Sequence, residues 1–73
     1  NLSNADLSGG DLNNADLSDA NFSNAKLSET NLRHSILKGT NLQQANLSEA
    51  DLGGANLENA KLVNANLKNS YFG

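Results

Sequence analysis

Leu or Phe occupies every fifth position from Leu2 to Phe72 without a miss, fifteen times in all. Two positions before each one the residue is small: Ala at nine of fourteen places, and otherwise Gly10, Thr30, Ser35, Thr40 or Ser70. Between the small residue and the Leu stands Asn or Asp at eleven of fifteen places, and the two positions after the Leu are mostly polar or Gly. The stretch Gln44-Ala45-Asn46-Leu47-Ser48-Glu49-Ala50-Asp51-Leu52 shows the rule.

A period of five excludes both simple elements. A helix turns about 100° per residue, so successive Leu residues step about 140° round the axis and form no apolar stripe. A long flat strand would send Leu residues at an odd spacing to alternate faces. The backbone must therefore turn once per pentad, always in the same sense. Residues two apart in extended backbone share a side, so the small residue and the Leu point inward and the residue between them points out. The two polar positions that follow suit a corner. The pattern predicts short extended pieces joined by corners and stacked into a solenoid, whose terminal coils are exposed unless capped.

The runs Ala15-Asp16-Leu17-Ser18-Asp19 and Ala55-Asn56-Leu57-Glu58-Asn59 follow the form A(D/N)LXX, and in this the chain resembles the pentapeptide repeat family over all 73 residues. The resemblance implies an all-β fold, a right-handed quadrilateral parallel β-helix with one pentad per face. Four pentads per coil then give about three and two-thirds coils, a stub roughly 17 Å tall at the usual spacing of paired strands. Residues twenty apart would stack, which puts Asp6, Lys26, Asn46 and Asn66 in one outward column. Asn1, Asn21, Asn41 and Lys61 form another, read as an amide ladder. Phe22 is expected in the core near the first and second coils, and Phe72 is expected to close the C-terminal end.

Residues 1–73 read as a single domain of this repeat, with no linker or change of composition. The chain starts at Asn1, inside a pentad and without Met, which reads as a segment of a longer protein, a processed chain or a designed one. There is no Cys to supply a disulfide, a thiolate nucleophile or a thiolate metal site, and no Pro to interrupt coil-to-coil pairing. No apolar stretch exceeds two residues, so these residues contain no transmembrane run. The net charge of −3 is unevenly placed: Asp6, Asp11, Asp16 and Asp19 meet no base in residues 1–20, whereas the remainder is near neutral. Nucleic-acid binding through phosphates needs clustered Lys and Arg and is not expected. No membrane partner is expected either.

The repeat loosens between Thr30 and Thr40. Ile36 takes an outward place there, and Arg33, His34 and Lys38 crowd the corners; Gly53 and Gly54 stack over Arg33 and His34 and leave them uncovered. Arg33, His34, Ile36 and Lys38 are the candidate interaction patch. At the other end Tyr71 and Phe72 are candidates for end-to-end association, since the resemblance to quinolone-resistance members implies dimerisation through the C-terminal coil.

No catalytic site can be assembled from one His, no Cys and carboxylates dispersed over different faces. No cofactor or metal site is expected, because the spacing of five differs from that of calcium-binding glycine-rich repeats. The favoured reading is a non-enzymatic scaffold that meets a protein partner through its outward faces. The alternative, implied by the same relatives, is a DNA mimic acting on gyrase. It requires carboxylates in a continuous column, and here each column that begins with Asp is broken one coil later.

Overall fold

The computed structural model describes residues 1–73 and contains neither an α-helix nor a long strand. Parallel bridges join residues twenty apart, from Asp6 with Lys26, Asp11 with Asn31 and Asp16 with Ile36 through to Asp51 with Tyr71. Four pentads thus complete one coil. The coils are residues 1–20, 21–40 and 41–60, with residues 61–73 beginning a fourth. The outcome is a squat block measuring 23 × 20 × 18 Å, in keeping with the expected stub.

Each of the five backbone N–H groups in a pentad has a characteristic partner. The N–H of the outward residue before the Leu donates to the coil below, as Lys26 does to the Ala5 carbonyl at 2.8 Å. The N–H groups of the Leu and of the second residue after it donate to the coil above, as in Leu27 to Asn46 and Glu29 to Ser48. The small residue closes the corner by donating to the Leu carbonyl three residues back, at 2.9 Å for Gly10 and 3.3 Å for Thr30. That leaves the N–H of the first residue after the Leu, and the outward Asn or Asp takes it.

This last bond is the feature the linear pattern did not reveal. All eleven outward Asn and Asp residues accept, on Oδ1, the N–H two residues further on, from Ser3 on Asn1 to Lys68 on Asn66. Each is an Asx turn that caps the entry to a corner. The expected amide ladder of Asn1, Asn21 and Asn41 is therefore absent as a hydrogen-bonded column: these carbonyls turn along their own chain instead.

The corners carry a conformational cost. The second residue after each Leu has positive φ, as at Asn4 (65°), Glu29 (60°), His34 (60°) and Gln44 (62°), with Gly only at Gly9, Gly39 and Gly54. Together with the bond from the small residue, this is the signature of a type II turn, which needs a left-handed residue at its third position. L-residues resist that region, by about 1–2 kcal/mol each. The solenoid holds them there because the next coil takes their N–H groups.

Inside, Phe22, Leu27, Leu32, Leu37, Leu42, Leu47 and Leu52 are fully buried, together with Ala25, Ala45 and Ala50. Full burial runs only from residue 22 to residue 53, because a coil needs a neighbour on both sides. Leu7, Leu12 and Leu17 below, and Leu57, Leu62 and Leu67 above, pack against this core while staying partly open. Phe22 sits where the repeat places it. Phe72 remains 50 % exposed and so does not close the C-terminal end. The three inward hydroxyl residues bond to backbone: Thr30 to the Leu27 carbonyl, Ser35 to Leu32 and Thr40 to Leu17. No buried side-chain polar atom is left without a partner.

Candidate functional site

Arg33 and His34 share one corner of the second coil, Ile36 lies on the adjoining face, and Lys38 stands at the next corner. The corner geometry starts from Asn31, whose Oδ1 holds the Arg33 N–H at 3.1 Å, and passes through the left-handed His34 to the buried Ser35. Arg33 Nη1 then reaches Asp51 in the third coil at 3.3 Å, and that carboxylate also accepts the Gly53 N–H. Both ionic side chains are about two-fifths exposed, so the pair fixes direction more than it stabilises.

Gly53 and Gly54 leave more than empty space above this corner. A methyl at Gly53 would fall 2.5 Å from Arg33 Nη1, and one at Gly54 would fall 2.6 Å from His34 Nδ1. The two side chains lie over the glycine backbone, so Arg33 is half-buried rather than uncovered; His34 stays exposed. Lys38 Nζ approaches Glu58 in the coil above at 3.8 Å, with both side chains mostly in solvent. Ile36 is 39 % exposed between these two ion pairs, an apolar side chain where the neighbouring coils place Asp16 and Asn56. The patch is thus an apolar centre flanked by two guided cations and their carboxylates. Sequence proximity brings the four residues together; the partners Asp51 and Glu58 come from stacking.

On the acidic first coil, Asp6 accepts both the hydroxyl and the N–H of Ser8, and these bonds hold its carboxyl below the usual carboxylate range. Lys26 adds attraction from the coil above without closing an ion pair. Asp16 is lowered in the same way by the hydroxyl and N–H of Ser18. These carboxylates therefore act as turn caps. No group of three His, Asp or Glu side chains converges to hold a metal ion. Tyr71 and Phe72 lie on the last coil with about half their surface open.

A solenoid of five-residue steps, with Leu inside and Asx-capped type II corners, is a structural class whose architecture is the repeat itself. The pentapeptide repeat profile matches residues 1–39 and 40–73 in eight copies, and the chain belongs to the pentapeptide repeat family. Members fold as right-handed quadrilateral β-helices, the fold of this chain, and are in general non-enzymatic structural proteins.

Among solved structures, the chain is similar to the pentapeptide repeat protein Rfr23 from the cyanobacterium Cyanothece 51142. The identity is 33%, the TM-score 0.67, and the match covers 96% of this chain and 62% of that one. HetL from Nostoc sp. strain PCC 7120, a pentapeptide repeat protein involved in heterocyst differentiation regulation, is 32% identical over 96% of this chain and 37% of its own, with a TM-score of 0.40. The pentapeptide repeat protein alr5209, also from Nostoc PCC 7120, is 36% identical over 89% of this chain and 62% of its own, with a TM-score of 0.36. The chain therefore spans less than two thirds of each of these proteins. No curated protein sequence matches it.

Proposed function

We propose that the chain serves as an interaction scaffold that binds a protein partner through the patch of Arg33, His34, Ile36 and Lys38. The observation that carries this reading is the exposure of Ile36 between two ion pairs. An apolar centre with a charged rim is the usual anatomy of a docking site. Elsewhere on the lateral faces the outward position is mostly Asn or Asp, whose carbonyl is committed to the corner, and the exposed Val63 has no ion pair beside it. Relatives are scaffolds of the same shape, and a rigid coil with few mobile side chains loses little entropy on docking.

The gyrase reading has weaker support. It needs stacked carboxylates, and Lys26, Asn31 and Ile36 pair directly above Asp6, Asp11 and Asp16. The same proposal gives the last coil a role in self-association through Tyr71 and Phe72.

The test is affinity isolation with the whole chain, wild type against the Arg33→Ala/Ile36→Ala double variant, from cells that express it. Loss of a protein recovered by the wild type supports the patch, and equal recovery by both rejects it. A gyrase supercoiling assay belongs beside it: inhibition at micromolar concentration would reverse the ranking of the two readings.

A further inference from the structure

One corner of the block differs in kind from the other three. Ser3-Asn4, Ser23-Asn24, Gln43-Gln44 and Val63-Asn64 stack there, and none of these side chains can ionise. The second corner carries Glu29, Glu49 and Lys68, the third Arg33 and His34, and the fourth Asp19, Lys38 and Glu58. The single cleft in the surface, about 360 Å³, opens on the neutral corner. Five primary amides line it, those of Asn24, Asn41, Gln43, Gln44 and Asn64, with Ser23 and the exposed Val63 beside them.

We propose that this cleft binds an uncharged, hydroxyl-rich ligand, a neutral oligosaccharide. A carboxamide presents an N–H donor and a carbonyl acceptor side by side, and each sugar hydroxyl both donates and accepts, so neighbouring hydroxyls can engage both. The backbone beneath is fixed: Asn21 Oδ1 holds the Ser23 N–H and Asn41 Oδ1 holds the Gln43 N–H, each at 3.0 Å. Those two amides are committed to the corner. The other four that line the cleft make no hydrogen bond to the rest of the chain and are free for a ligand. Their carriers Asn24, Gln44 and Asn64 sit at the left-handed corner position, held by the solenoid, so their backbone positions repeat at the coil spacing.

The cleft volume falls within the range of ligand sites. Its lining carries no charge to offset the desolvation of an ionic ligand, which selects for a neutral one. It also lacks an aromatic ring, so binding rests on hydrogen bonds and falls in the millimolar range.

The test is a ¹⁵N NMR titration of the whole chain with maltohexaose and with cellohexaose, read at the side-chain NH₂ signals. Saturable shifts are expected at Asn24, Gln43, Gln44 and Asn64 with at least one of the two sugars, while Asn59 and Asn69 on other corners stay put. Gln43→Ala should weaken binding about fivefold and keep the backbone spectrum unchanged. No saturable response to either sugar overturns the proposal, as do shifts spread over all Asn and Gln side chains. A sulfated oligosaccharide is the remaining arm: a stronger response to it, centred on Lys61, would overturn the proposal in favour of an anion site.

Discussion

The Thr40 hydroxyl donates to the Leu17 carbonyl across 2.8 Å, tying the second coil, whose inward residues are buried, to the more open first one. Thr30, Ser35 and Ser70 each bond within their own corner instead. The Leu17 carbonyl also accepts the Ala20 N–H, so loss of the hydroxyl leaves it satisfied. Thr40→Val keeps the shape and should destabilise the fold by about 0.5–1.5 kcal/mol. A larger loss, or none, in a urea unfolding curve would show that the inter-coil bond is not what Thr40 contributes.

Gly53 holds a place that the Arg33–Asp51 pair depends on. Gly53→Ala puts a methyl against the guanidinium and should turn Arg33 into solvent, with only a small effect on stability because the pair is exposed. In the affinity experiment Gly53→Ala should then weaken recovery as Arg33→Ala does. Retention of full binding would separate the partner from the orientation of Arg33.

Ile36 is one of four outward residues that break the Asx rule, with Lys26, Lys61 and Tyr71. The Lys38 N–H therefore has no side-chain acceptor of the kind that serves eleven other corners. Ile36→Asn should add that bond and stabilise the fold by about 0.5–1.5 kcal/mol while removing the apolar centre of the patch. Opposite signs for stability and partner recovery are the expected pair of results. A variant that lost both would place Ile36 in the packing of the coil.

The acid limb of stability should carry the mark of Asp6 and Asp16. Both have a carboxyl pKa lowered in the folded state, chiefly by Ser8 and Ser18. A depressed folded value means stability that is present above the unfolded value near 3.8 and lost as pH falls through the folded one. The Ser8→Ala/Ser18→Ala variant should therefore be less stable than wild type at neutral pH and converge with it at the acid end. Parallel curves across the whole pH range would assign the effect to something other than these carboxylates.

Tyr71→Ser/Phe72→Ser removes the open aromatic pair of the last coil. If that coil mediates association, sedimentation equilibrium should show the wild type self-associating and the variant monomeric, with an unchanged far-ultraviolet dichroism spectrum to show that the coils stay wound. Identical masses for the two would reject the association.

Much of this architecture is legible in the sequence, because a Leu every fifth residue forces a turn each pentad and Ala two before it leaves room inside. The winding and the inward positions follow from that spacing, and the place of Phe22 between coils follows from the four pentads per coil that the family resemblance implies. The outward position was read as a solvent-facing side chain, yet its preference for Asn and Asp over other polar residues is the Asx signal that accounts for the remaining corner N–H. The amide ladder failed for the same reason, since a carbonyl two residues from an orphan N–H bonds locally before it reaches the next coil.

What stacking alone decided lies twenty residues apart. Asp51 against Arg33, Glu58 against Lys38, and the gathering of four neutral corner pairs onto one edge have no local cause, because each depends on how many pentads close a coil. Local chemistry sets the step, and the step count per turn sets who meets whom.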